Sequence, residues 1–74
     1  MKKYFMVSVN DNIYSQKLDL FLQDNLKMEL GSTGCGTTEF ISKTKPKNFK
    51  DRIIKNFGKV TYKEIQFGYM VEDE

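Results

Sequence analysis

Three groups of residues in this 74-residue chain have the type and spacing to do chemistry. Asp11 stands within Asn10-Asp11-Asn12, where a carboxylate closing a strand can hold a divalent cation through oxygen. Cys35 lies in Gly31-Ser32-Thr33-Gly34-Cys35-Gly36, and such glycine-rich loops can turn backbone amides toward an anion. Lys47, Lys50, Arg52, Lys55 and Lys59 crowd one stretch of the chain and suit contact with the phosphates of a nucleic-acid backbone.

Each group lacks something its chemistry requires. No Gly-Lys-Ser/Thr follows the glycines and a strand-like segment comes next, so a hairpin turn is the expected reading. A reactive thiolate needs a nearby cation, helix amino terminus or metal, and none is visible around Cys35. Asp51 interrupts the basic stretch, and groups that read base edges are missing from it. Asp11 has no evident second acidic ligand. The chain contains no histidine, which excludes Ser/His and Cys/His nucleophile pairs, imidazole acid/base work and most transition-metal sites. No catalytic residue, metal or cofactor is therefore expected, with Asp11 as the alternative.

Composition narrows the class further. A chain this short builds one thin core and one domain, here from 39% hydrophobic residues that include six Phe and four Tyr. The formal charge of +2 falls far short of a dedicated nucleic-acid binder. A single cysteine forms no internal disulfide, which points to the reducing cytoplasm. The apolar run after Lys2 and Lys3 is too short for a signal peptide or a membrane span, so no membrane association is expected.

The elements that must position these residues follow from periodicity. Residues 3–10 alternate, with Phe5, Val7 and Val9 toward a core and Tyr4, Met6 and Ser8 away from it. Asn10-Asp11-Asn12 offers turn and helix-cap chemistry. Tyr14, Leu18, Phe21, Leu22 and Leu26 form a helical stripe over 14–27. Residues 28–30 read as a short strand, 31–36 as a turn and 37–43 as a strand whose inner face, Phe40 or Ile41, stays open. A second helix begins near Pro46, carries Phe49, Ile53 and Phe57, and stops at Gly58. Arg52, Lys55 and Lys59 are expected opposite its apolar stripe. The last strand puts Ile65, Phe67 and Tyr69 on one face and Tyr62, Glu64, Gln66 and Met70 on the other. Glu72-Asp73-Glu74 reads as a mobile acidic tail.

This order, β-α-β-β-α-β, resembles the ferredoxin-like α/β-plait superfamily over nearly the whole chain, by element order and without a diagnostic motif. The resemblance implies an α+β fold with two helices on one face of a four-stranded antiparallel sheet. The Cys-x-x-Cys loop of the heavy-metal carriers of this fold is replaced here by Asn10-Asp11-Asn12. The Lys-Gly-Phe-Gly-Phe-Val pattern of its RNA-recognition domains is replaced by Gly34-Cys35-Gly36-Thr37-Thr38-Glu39-Phe40-Ile41. A strand ending in Asp11 and followed by a helix is similar to the small ribonuclease-like proteins of CRISPR adaptation and related antitoxins. That similarity implies two protomers pairing their aspartates around a divalent metal.

The first and last strands are neighbours in such a plait, so Tyr4, Met6, Tyr62 and Met70 are expected together on the open sheet face. Clustered exposed aromatics and methionines mark a contact surface. The expected function is a small non-catalytic protein-interaction module, pairing with itself or with a partner protein, of the size of a phage or bacterial inhibitor, antitoxin or accessory subunit. Nucleic-acid binding through Lys47, Lys50, Arg52, Lys55 and Lys59 is the alternative.

Overall fold

The computed structural model describes residues 2–72. Strand β1 (Lys2–Asn10) leads to helix α1 (Gln16–Leu20), which runs directly into a π-helical turn (Phe21–Asn25). Strands β2 (Glu29–Gly34) and β3 (Thr37–Ser42) follow, then helices α2 (Phe49–Phe57) and α3 (Lys59–Glu64), and finally strand β4 (Gln66–Glu72). The strands form one antiparallel sheet in the order β2-β3-β1-β4. The fold is α+β, and its element order is richer than the six elements expected, because each helical connection contains an irregularity.

The odd residues of β1 face the core as their alternation predicts: Phe5, Val7 and Val9 are buried. Val7 stands opposite Phe40 of β3 and Phe67 of β4, so Phe40 is the inward residue and Ile41 lies on the far side, opposite Met6. Leu18, Leu22, Leu26 and Met28 from the first connection join Phe49, Ile53 and Ile65 from the second against these strands in one core. Phe5 centres an aromatic row, its ring 5.4 Å from Phe49 and 5.5 Å from Tyr69.

Helix α1 is shorter than its stripe suggests. Ser15 caps it, its Oγ accepting from the Leu18 amide at 3.1 Å, while Asn10 instead accepts from the Asn12 amide within a turn. Tyr14 precedes the helix and is exposed. The π-helical turn places one extra residue in the coil, and Lys27 then adopts a left-handed φ of 57° so that Met28 N–H bonds the Leu22 carbonyl at 3.0 Å. That exit turns Met28 into the core, where it is buried outside any strand.

The glycine stretch is mostly strand. Gly34 pairs with Thr37, leaving only Cys35 and Gly36 as a two-residue hairpin loop, both at positive φ (54° and 81°) as a type I′ turn requires. Helix α2 starts at Phe49, three residues after Pro46, behind Asn48 in the left-handed region.

The largest correction concerns residues 59–64. Val60, Thr61 and Tyr62 favour strands, yet they form α3. Gly58, at φ 95° and ψ 165°, ends α2 and redirects the chain so that Tyr62 packs beside Phe49 and Phe67. Packing of that half-buried ring against the core outweighs local propensity, and β4 begins only at Gln66. Glu72 belongs to β4, opposite Lys2, and the remainder of the expected acidic tail, Asp73 and Glu74, lies outside the described residues. Among the described residues no helix is long and apolar enough to cross a membrane.

Candidate functional site

The sheet face away from the helices is built by alternation. On β1, Tyr4 and Met6 point opposite to Phe5 and Val7, and both are half-buried. Register sets Met70 of β4 against Tyr4, and on either side of Met6 it sets Gly68 of β4 and Ile41 of β3. Tyr4, Met6, Ile41 and Met70 therefore form one apolar patch. Tyr4, Met6 and Ile41 line a concavity of about 700 Å³. Glycine contributes to its shape: Gly31 carries no side chain beside Ile41, where an added Cβ would meet the Glu39 carbonyl oxygen at 3.2 Å. The rim carries both charges, with Lys2, Lys27 and Lys43 set among Glu29, Glu39 and Glu72. Ser32 Oγ donates to Glu39 Oε1 at 2.8 Å and holds that carboxylate at the rim.

Of the four residues expected on this surface, the fold brings Tyr4, Met6 and Met70 together and removes Tyr62. As part of α3, Tyr62 sits on the helical side, its ring 5.6 Å from that of Phe67, with Lys50 Nζ 5.9 Å from the ring centre. Ile41 takes its place in the patch. The signal for Ile41 was present in Phe40-Ile41, but two adjacent apolar residues on a strand do not reveal which one faces inward until the partner strand sets the register.

The basic residues of the second connection do not form one patch. The Arg52 guanidinium donates to the Asn25 carbonyl at 2.8 Å and so ties α2 to the end of the π-helical turn. Lys50 leaves the opposite flank of α2 toward α3. Lys59 follows the break at Gly58, so a single helical wheel does not relate it to exposed Lys55, and Lys47 is exposed ahead of the helix. Two lysines meet aromatic rings along the helical side of β4, Lys3 Nζ lying 4.5 Å from the Tyr69 ring centre and Lys45 Nζ 5.4 Å from that of Phe67, while Lys17 and Lys50 lie over Phe57 and Tyr62 of the helices.

Asp11 is exposed at the end of β1, and its amide donates to the Gly36 carbonyl at 2.8 Å, which docks the first loop on the hairpin turn. Among the described residues no group of three or more His, Cys, Asp or Glu side chains is placed to hold a metal ion. Cys35 is exposed at the turn.

One titrating contact lies outside the patch. The Tyr14 hydroxyl donates to Asp19 Oδ2, and Gln23 Nε2 donates to the other oxygen of the same carboxylate. The hydrogen bond to Asp19, then desolvation, then the charge of Asp19 raise the Tyr14 phenol above its ordinary value of 10.0. A tyrosine whose folded value is raised stabilises the fold below its unfolded value, and that contribution is lost as pH rises through the folded value. Ultraviolet titration is thus expected to show Tyr14 ionising later than the free amino acid. Asp19→Asn should return it toward the ordinary value; a late tyrosine persisting in that variant would place the effect elsewhere.

Comparison of the chain with protein-family models, with curated proteins and with solved structures gives no match.

Proposed function

We propose that this chain is a small non-catalytic protein-interaction module that binds a partner protein on the open face of its sheet, as a cytoplasmic inhibitor, antitoxin or accessory subunit does. The observation that carries the reading is the apolar floor of Tyr4, Met6 and Ile41 sunk in a concavity whose rim carries both lysine and glutamate. Protein interfaces have this anatomy, with an apolar centre that excludes water and a polar rim that sets orientation. A rim of mixed sign suits a partner with charges of both kinds better than a uniform polyanion. We also read the fold as a variant of the ferredoxin-like plait with a divided second helix. Support for that comes from the strand order β2-β3-β1-β4 and from both helical connections packing on one face.

The test replaces Tyr4 with a benzophenone amino acid and irradiates cells that carry the chain. The expected product is a discrete adduct with a different protein, absent when Met6→Lys is added and absent when the photoreactive group stands at Lys55 on the back of α2. No adduct from position 4, or one composed only of two copies of the chain, overturns the reading.

A second reading, binding of single-stranded nucleic acid, rests on Lys3 and Lys45 lying over the rings of Tyr69 and Phe67, since cations beside exposed aromatics suit phosphates and stacked bases. Fluorescence anisotropy of labelled RNA and duplex DNA tests it. Micromolar binding at physiological salt supports this reading, whereas binding confined to low salt removes it.

A further inference from the structure

The sheet has two edges, β2 and β4, and they differ in how they meet solvent. An unpaired edge offers a row of amides and carbonyls to any extended chain, and folded proteins blunt such edges with bulges, lysine, proline or short length. β2 is blunted: its register shifts between Leu30 and Thr33, and Gly31, Ser32 and Gly34 interrupt its side-chain rows. β4 has no bulge, lysine or proline, and a single glycine, Gly68, in its side-chain rows. It pairs with β1 in unbroken register from Gln66 to Glu72 and contains no arginine either. Its apolar side chains are unusually open, with Phe67 39%, Tyr69 51%, Met70 41% and Val71 56% exposed.

We infer that two copies of this chain join edge to edge through β4, antiparallel about a twofold axis at Tyr69, and form one continuous eight-stranded sheet. The occupant follows from self-complementarity. Pairing centred on Tyr69 is the register that uses all of β4, from Gln66 to Glu72. It sets Phe67 against Val71 of the second copy, an aromatic and β-branched pair of the kind that stabilises antiparallel ladders. It sets Gly68 against Met70, the smallest side chain against a long one, and Gln66 against Glu72, an amide able to donate to a carboxylate. The symmetry makes each of these pairs twice, and no like charges face each other.

Centring on Met70 instead would oppose Gly68 to Glu72 and give up the pairing of Gln66 with that carboxylate. Centring on Gly68 would leave Val71 and Glu72 facing residues 64 and 65, outside β4. The axis runs perpendicular to the sheet, so both helical layers fall on one side and both open faces on the other. Met70 of each copy then lies beside Gly68 of the other and extends the Tyr4, Met6 and Ile41 floor across the axis. The inference concerns an edge rather than the open face, and it stands whether or not that face binds a different protein.

Sedimentation velocity of the pure chain under reducing conditions, over a concentration series, is expected to show a species of twice the 8.7 kDa monomer. Val71→Lys places a charge opposite Phe67 at an exposed site, and should raise the dimer dissociation constant at least tenfold with an unchanged circular dichroism spectrum. Register is tested separately in Cys35→Ser chains. Residue 69 is the position that meets itself across the axis, so Tyr69→Cys should give a disulfide-linked dimer on mild oxidation, while Gly68→Cys and Met70→Cys should not. A chain that stays monomeric to millimolar concentration overturns the inference, as does a dimer that survives Val71→Lys or one that cross-links best through residue 68 or 70.

Discussion

Phe5→Ala is expected to destabilise the fold by about 3–5 kcal/mol, which for a domain of this size approaches its whole stability. Phe5 is 1% exposed, and its ring is an edge-to-face neighbour of both Phe49 and Tyr69. It also lies 6.0 Å from Phe67. Truncation therefore leaves a cavity between the central strand, α2 and β4 at once, and helix and strand cannot both collapse into it. Urea denaturation should find a large unfolded population of the variant in buffer alone. Tyr4→Ala, one residue away on the opposite face, removes a half-buried side chain with no part in that row, and should cost much less. Equal losses for the two variants would show that the helical side is not where the stability lies.

Gly58→Ala is expected to cost about 1–3 kcal/mol, although an added methyl group would meet nothing within 4 Å. The loss comes from the backbone, because φ 95° with ψ 165° is a conformation that only glycine adopts readily. An alanine there favours continuing the helix, which would rotate Tyr62 and Ile65 away from Phe49. Gly68→Ala is the matched control. Its added methyl also meets open space, but its φ is not positive, so the change should be neutral or stabilising by about 0.4–1 kcal/mol. Chemical denaturation of the two variants side by side decides the matter. A Gly58→Ala variant as stable as Gly68→Ala would mean that the division between α2 and α3 is not held by this residue.

Those two positions also mark where the chain could and could not be understood from its residues alone. Phe5, Val7 and Val9 alternate with polar or half-buried neighbours, and strict alternation has one meaning on a strand, so β1 and its inward face were readable. Leu18, Leu22 and Leu26 were readable for the same reason on a helix. The segment Lys59–Glu64 was not, because Val60, Thr61 and Tyr62 prefer strands, and the packing of Tyr62 on Phe49 and Phe67 that goes with the helix is set by the tertiary fold. Gly58 was readable as a stop, and not as a pivot between two helices. Within the candidate site, Tyr4, Met6 and Met70 needed only the pairing of the first and last strands, which the element order supplied. Ile41 needed the register of β3, and Tyr62 needed the extent of α3; both are set by tertiary packing. Arg52 stood among lysines in the sequence, and its bond to the Asn25 carbonyl, 27 residues away, makes it a structural tie.

The pairing of β1 with β4 joins Lys2 to Glu72 and so spans the described chain from its first residue to its last. The β2-β3 hairpin closes over two residues and can form in microseconds, and β1 reaches β3 at moderate sequence distance. β4 has the longest loop to close, and its entropy must be met before its contacts return anything. Folding should therefore proceed through a three-stranded species in which Phe5 is uncovered on one side, and the rate of acquiring native structure should be governed by the arrival of the last strand. Substitutions at Phe67 or Tyr69, on that last strand, would then leave the speed of the first collapse nearly unchanged and act on the later docking and release of β4.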